Sequence, residues 1–238
     1  RGGCDLEQLV DFLPPDIKSL FEYEFNYVND HNFNVHRDHT NYLQLSESLS
    51  NSKKKLIADN IPFIDSNVFS TNIFEKKYDV LVISLLMDFT QNLYYFPEFD
   101  VVIPFGDYGN ILQDKIKSKT HNKFLNCFNL GMLSLEDFER NLNFIRQRTN
   151  SHIIFINGLD EQDSFIPPND SYISHTCYNQ ILDKFSQMHD NVSVLDVRNI
   201  LSHNDTTNNI RHYTRKSYLL MAQNLKSKIE NHINIQFE

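Results

Sequence analysis

The sequence predicts an α/β domain built on a doubly wound, mostly parallel sheet with helices on both faces. Two observations carry that expectation. Continuous apolar runs recur at residues 78–87, 152–157 and 192–197, the composition of strands covered on both sides. The segments between them return apolar residues every three or four positions, as helices packed along one side do. Strands that alternate with amphipathic helices form right-handed βαβ units, so the sheet should be parallel.

Each element has its own signal. Residues 6–13 have helical spacing and stop at Pro14 and Pro15. In residues 21–28, Phe21, Tyr23, Phe25 and Tyr27 alternate with other side chains, the period of a half-buried strand. Residues 42–58, rich in Ser and Lys, read as loop and helix. The run at 78–87 is interrupted by Ser84 and is the strongest strand signal. Residues 89–99, with Tyr94, Tyr95 and Phe96, read as core aromatics, with an acyl- or sugar-lining role as the alternative. Residues 100–104 form a further strand that leads into a turn at Gly106 to Gly109. Ser134 caps a helix through Leu135, Phe138, Leu142 and Ile145. Residues 178–188 form another helix, and Thr214 opens the last one, through Tyr218, Met221, Leu225 and Ile229.

Composition narrows the function classes. A chain of 238 residues fits one domain, residues 1–238, and its apolar content is enough for a core. The net charge of -9 is spread along the chain, and its one basic run is Lys53 to Lys55, so no nucleic-acid footprint is expected. The longest apolar stretch is too short to span a bilayer. Three cysteines, Cys4, Cys127 and Cys177, match neither a disulfide framework nor a zinc motif, and point to a reducing, cytoplasmic setting. No Gly-x-Gly-x-x-Gly or Walker pattern is present, so no nucleotide cofactor is expected. The densest set of potential metal ligands, Asp30, His31, His36, Asp38 and His39, has no strong zinc spacing, so no metal is expected.

In parallel α/β sheets the ligand site forms beyond the carboxyl ends of the strands. The segments there are Gly2-Gly3-Cys4, residues 31–39, Met87-Asp88, Asn157-Gly158 and residues 202–212. Cys4 stands after two glycines at a helix start, where the helix end favours a thiolate. A small buried cysteine is the plainer alternative. His212 stands in a loop just before the last helix, with Asn209 three residues upstream and Asp205 as an alternative orienting acid. A capping or core-edge histidine is the plainer reading there. Arg37 and His36 are placed for substrate or oxyanion contact, as is Gly3. Asp88 is a candidate to orient a substrate hydroxyl or to cap a turn.

Asn209, His212 and the helix after it resemble the last sequence block of the SGNH hydrolases. The order of elements, from a glycine-rich first turn with its nucleophile to that block, is similar along nearly the whole chain. Gly2-Gly3-Cys4 resembles relatives that carry Gly-x-Cys in the first block and are associated with polysaccharide biosynthesis. The resemblance implies an esterase or O-acyltransferase, with Cys4 as nucleophile, His212 as base, Asn209 as its orienting group, and a small acyl donor and a carbohydrate-like acceptor as partners. The chain departs from the pattern in four places. Cys4 replaces the usual Ser, Asn209 replaces Asp, Asp88 stands where an oxyanion-binding Asn belongs, and no second-block glycine follows residues 21–28. Cys4 and Asn209 are consistent departures, since a thiol needs a less strongly oriented imidazole. The alternative is a catalytically degenerate domain that binds carbohydrate or supports a partner enzyme.

Overall fold

The computed structural model describes residues 1–28, 34–35, 37–61, 64–105, 127–160, 173–202, 205–206 and 212–233. It is an α/β structure whose centre is a three-stranded parallel sheet. The strands are β3 (Val80–Ser84), β7 (His152–Ile156) and β8 (Val192–Leu195), in the order β3-β7-β8. The register pairs Val80 with His152 and Ile153 with Val192. The three runs read from sequence as strands buried on both faces are thus neighbours and parallel.

Their alternate residues enter two different cores. Val82, Ile154, Ile156 and Leu195 face one way and pack with α1 (Cys4–Asp11), with Ile17 of the short α2 (Pro15–Lys18) and with the last helix, α8 (Arg215–His232). Leu81, Ile83, Ile153, Phe155 and Val192 face the other way, onto α6 (Leu135–Arg148) and α7 (His175–Met188). Period-two side-chain alternation between two helical layers explains why apolar residues stand at successive positions of these strands. Ser134 and Thr214 cap α6 and α8 as their sequence positions suggest, accepting from the Asp137 and Ser217 N–H groups. No helix among the described residues is long and apolar enough to cross a membrane.

The expectation of a mostly parallel sheet needs correction outside this centre. β4 (Asn92–Phe96), β5 (Val101–Phe105) and β6 (Phe128–Met132) form a separate antiparallel sheet, ordered β5-β4-β6. Phe96, Val101 and Ile103 pack there on α3 (Asn41–Ser48) and α4 (Asn51–Asn60) through Tyr42 and Ile57. The central strand also ends earlier than the apolar run does. Leu86–Thr90 turns at once into a short helix, α5, so Asp88 sits on a helix and not at a strand end.

The segment 21–28 gives only a two-residue strand, β1 (Tyr27–Val28), antiparallel to β2 (Asn34–Val35). Upstream, Phe21 stacks on Tyr23 and Tyr23 meets Phe25 at a tilt, as a period-two backbone places them. Residues 21–26 themselves form no strand, and their link toward β3 is made at one end. There Arg1 bridges to β3. Its nitrogen donates to the Val82 carbonyl at 2.7 Å, and its carbonyl accepts from the Ser84 N–H at 3.1 Å. The Gly2 N–H donates to the Glu24 carbonyl at 3.3 Å on the other side. The turn expected at Gly106 to Gly109 lies outside the described residues.

Candidate active site

Cys4 is the first residue of α1, and the chain delivers it to the carboxyl end of β3. The Arg1 bridge to Ser84 brings the backbone there, and Ser84 Oγ donates to Asp5 Oδ2 at 2.6 Å, fastening the first turn of α1 over the strand end. Ser84 is therefore the polar interruption that the apolar run needs. The two glycines serve close approach. A Cβ on Gly2 would stand 2.6 Å from Leu6 Cβ, and one on Gly3 would overlap Asp38 Oδ2.

His212 is delivered by a different route. After β8 the chain returns at Asp205 and Thr206, and Thr206 bridges to Tyr213. The Asp205 carbonyl accepts from the Thr214 N–H at 2.8 Å and from Ser217 Oγ at 3.1 Å. Tyr218 of α8 receives the Tyr213 N–H on its hydroxyl at 3.5 Å and stacks its ring on Phe12, the residue that caps the end of α1. These contacts fix the residues just after His212 against both α1 and α8. The outcome is that Cys4 Sγ lies 3.7 Å from His212 Nε2, across 208 positions of sequence. Both side chains are half-buried, so the pair borders solvent.

The charge environment differs from the one expected at a helix start. Burial pushes the Cys4 thiol up from its ordinary 9.0 to about 11, and the Asp5 and Asp38 carboxyls push the same way. Its own N–H and that of Asp5 favour the thiolate, but less strongly. The resting Cys4 thiol is therefore neutral, in contrast to the thiolate expected at a helix start. Asp5 is fully buried and raised by that burial, and its Oδ1 has no hydrogen-bond partner among the described residues. Asp38 is buried against Gly3, and burial together with Asp5 raises it to about 7. These two carboxyls are the part of the site that sequence reasoning did not assign. Asp38 was visible only as one member of the His and Asp cluster.

Alkylation measures this directly. The iodoacetamide rate at Cys4 should keep rising tenfold per pH unit through pH 9 and level off near pH 11. Asp38→Asn removes a negative neighbour and should bring the plateau to lower pH. Peptide mapping of the alkylated protein reads out both, and a plateau near pH 7 in the unaltered chain would refute the assignment.

Other predicted residues play different parts. Asp88 is fully buried and reaches no substrate. Its carboxyl accepts from the Thr40 N–H at 3.1 Å and from Thr40 Oγ1, and burial raises it to about 8. His39 Nδ1 lies 3.6 Å from Asp88 Oδ1, yet it accepts from the Asn41 N–H at 3.1 Å, and burial lowers this imidazole to about 3. His39 and Asp88 thus meet as neutral groups, and the distance is not an ion pair. Asp88 holds the turn that carries Asp38. This corrects its reading as a substrate contact. Asp205 Oδ2 accepts from the N–H and Oγ of Ser202, so its carboxylate braces its own loop. The Arg37 guanidinium donates to the Ser70 carbonyl at 2.8 Å, and the Arg37 N–H donates to Asn26 at 2.7 Å. Asn157 ties the ends of β7 and β8 together through Asp196 and the Val197 N–H. His36, Asn209, Asp30 and His31 lie outside the described residues. Among those described, no group of three His, Cys, Asp or Glu side chains is placed to hold a metal.

Comparison with protein-family models, with curated proteins and with solved structures finds no match. The reading of the site therefore rests on its own geometry.

Proposed function

We propose that the chain is an esterase or O-acyltransferase of the SGNH type, with Cys4 as nucleophile and His212 as general base. The observation that carries this reading is the 3.7 Å approach of Sγ to Nε2 at the carboxyl end of a parallel sheet. Supporting it, β3, β7 and β8 form a parallel sheet in chain order, with Arg1 hydrogen-bonded along the free edge of β3.

The neutral thiol sets the mechanism. As Sγ attacks the carbonyl carbon of an ester, Nε2 takes the thiol proton. The carbon–oxygen bond of the tetrahedral intermediate then breaks, the leaving alcohol takes that proton from His212, and a thioester remains on Cys4. A water or sugar hydroxyl gives its proton to Nε2 and attacks the thioester, and Cys4 recovers the proton as it leaves. Asp5 and Asp38 beside the sulfur disfavour a carboxylate in the acyl group, so uncharged acyl donors fit best. Proton transfer to His212 at the moment of attack replaces the ion pair of an acidic cysteine.

A second reading has an observation of its own. Asp88, at the position of the amide that helps bind the oxyanion, is turned inward onto Thr40. Without that donor the oxyanion loses a source of stabilisation. On this reading the domain is catalytically degenerate and binds carbohydrate or supports a partner enzyme. Turnover of p-nitrophenyl acetate, with and without a methyl glycoside, separates the two. The enzyme reading expects nitrophenol release that vanishes in Cys4→Ala, and acetylated glycoside if transfer competes with hydrolysis. Equal release from Cys4→Ala and the unaltered chain rejects it.

A further inference from the structure

The charge that forms on His212 in a half-buried site needs a negative partner close by. The residues expected to orient the ring bring none: Asn209 is an uncharged amide, and the Asp205 carboxylate faces Ser202. Asp5, the residue after the nucleophile, is placed differently. It is 3% exposed, and Ser84 Oγ at the end of β3 donates to its Oδ2 at 2.6 Å. Its Oδ1 has no hydrogen-bond partner among the described residues. Cys4 and Asp5 open α1 together, so an imidazole 3.7 Å from Cys4 Sγ is within electrostatic reach of this carboxyl. The His212 charge in turn favours the ionised form of Asp5.

Asp5 is also the member of the buried carboxyl pair that holds the charge. A Cβ on Gly3 would meet both Asp38 Oδ2 and Asp5 Oδ1, and two buried carboxyls so close resist ionising together. Against the burial that raises Asp5, Ser84 Oγ and the N–H groups of Leu6 and Asp5 favour its carboxylate. Burial and that Asp5 charge raise Asp38 to about 7, so the proton of the pair sits on Asp38.

We propose that Asp5 is the positioning residue of the Cys4–His212 pair: its buried carboxylate, fastened by Ser84, balances the charge that His212 gains on taking the thiol proton. This role rests on the acyl-transfer reading and deepens it. As the carbon–sulfur bond forms, the thiol proton passes to Nε2 and the negative charge moves to the substrate oxygen. The positive imidazolium stays near Asp5. The carboxylate thus opposes a free thiolate, yet favours the state in which His212 holds the proton.

Two readouts test this, and the first needs no turnover. With isotope-labelled aspartate, the Asp5 carboxyl resonance is assigned by its loss in Asp5→Asn. It should titrate at higher pH in His212→Gln than in the unaltered chain, by about half a pH unit or more. An unchanged midpoint overturns the proposal, whatever the chain does to esters. In the second, Asp5→Asn should lower kcat for p-nitrophenyl acetate on the order of tenfold or more, with KM little changed. Asp5→Glu restores the carboxylate in a longer side chain and should recover part of that loss. A packing role expects the reverse, with the longer Glu worse than the isosteric Asn. Asp5→Asn as fast as the unaltered chain, or Asp5→Glu slower than Asp5→Asn, also overturns the proposal. Ester turnover that survives in Cys4→Ala rejects the acyl-transfer reading alone, and the titration then decides the pairing by itself.

Discussion

Cys4→Ala and His212→Ala are each expected to abolish turnover of an activated acyl ester, with losses on the order of 10³-fold or more. The double variant should be no worse than either single one, because a nucleophile and its base act as a unit. The reason lies in the neutral thiol: burial and two carboxyls hold it near 11, so at pH 7 it attacks only when Nε2, 3.7 Å away, takes its proton. Asn209→Ala should cost less, since it only loosens the imidazole, and Asn209→Asp should retain or raise activity because a carboxylate strengthens the base. Thermal melts of all five variants separate catalysis from folding. Losses that add, or activity that survives either single change, would leave the pair without a catalytic role.

The second large effect concerns stability behind the site. Phe89 is fully buried directly after Asp88, stacked 4.9 Å from Tyr178 and edge-on to Phe138 at 5.8 Å. A Cβ on Gly158 would already stand 3.0 Å from its ring, so this ring fills the space beneath the end of β7. Phe89→Ala should cost about 3–5 kcal/mol, the range for deleting a buried aromatic ring, and lower the melting temperature on the order of 10 °C. Leu130→Ala, at a side chain 52% exposed, serves as a comparison and should change stability by under about 0.5 kcal/mol. Chemical denaturation checks both. A loss below about 1 kcal/mol for Phe89→Ala would mean that the aromatic cluster repacks without it.

What the sequence made legible follows from how directly physics writes it there. β3, β7 and β8 were readable because burial on two faces demands runs that are apolar at most positions. Cys4 and His212 were readable because a parallel sheet tells which loops converge. β4 and β6 were not. Residues 92–96 mix Asn with aromatics and show no strand period, and in residues 128–132 the alternating Phe128 and Leu130 are exposed, so their period marks no buried face. Only pairing across the antiparallel sheet defines them. The thiolate expectation failed on magnitude. A helix end is worth about 0.3–1 kcal/mol, less than one pH unit. It loses to the burial and carboxyls that move Cys4 from 9.0 to about 11. The Asp38 contact with Gly3 joins segments far apart in sequence, and no local pattern announces it.

The central claim is that an acyl group passes through Cys4. Mixing the protein with p-nitrophenyl acetate, quenching in acid within seconds and mapping the peptides by mass should place one acetyl group on Cys4. It should be removed by neutral hydroxylamine, as a thioester is, and should be absent from His212→Ala treated in the same way. Acetylation confined to lysines, or to Cys127 and Cys177 with Cys4 unmodified, would contradict the account.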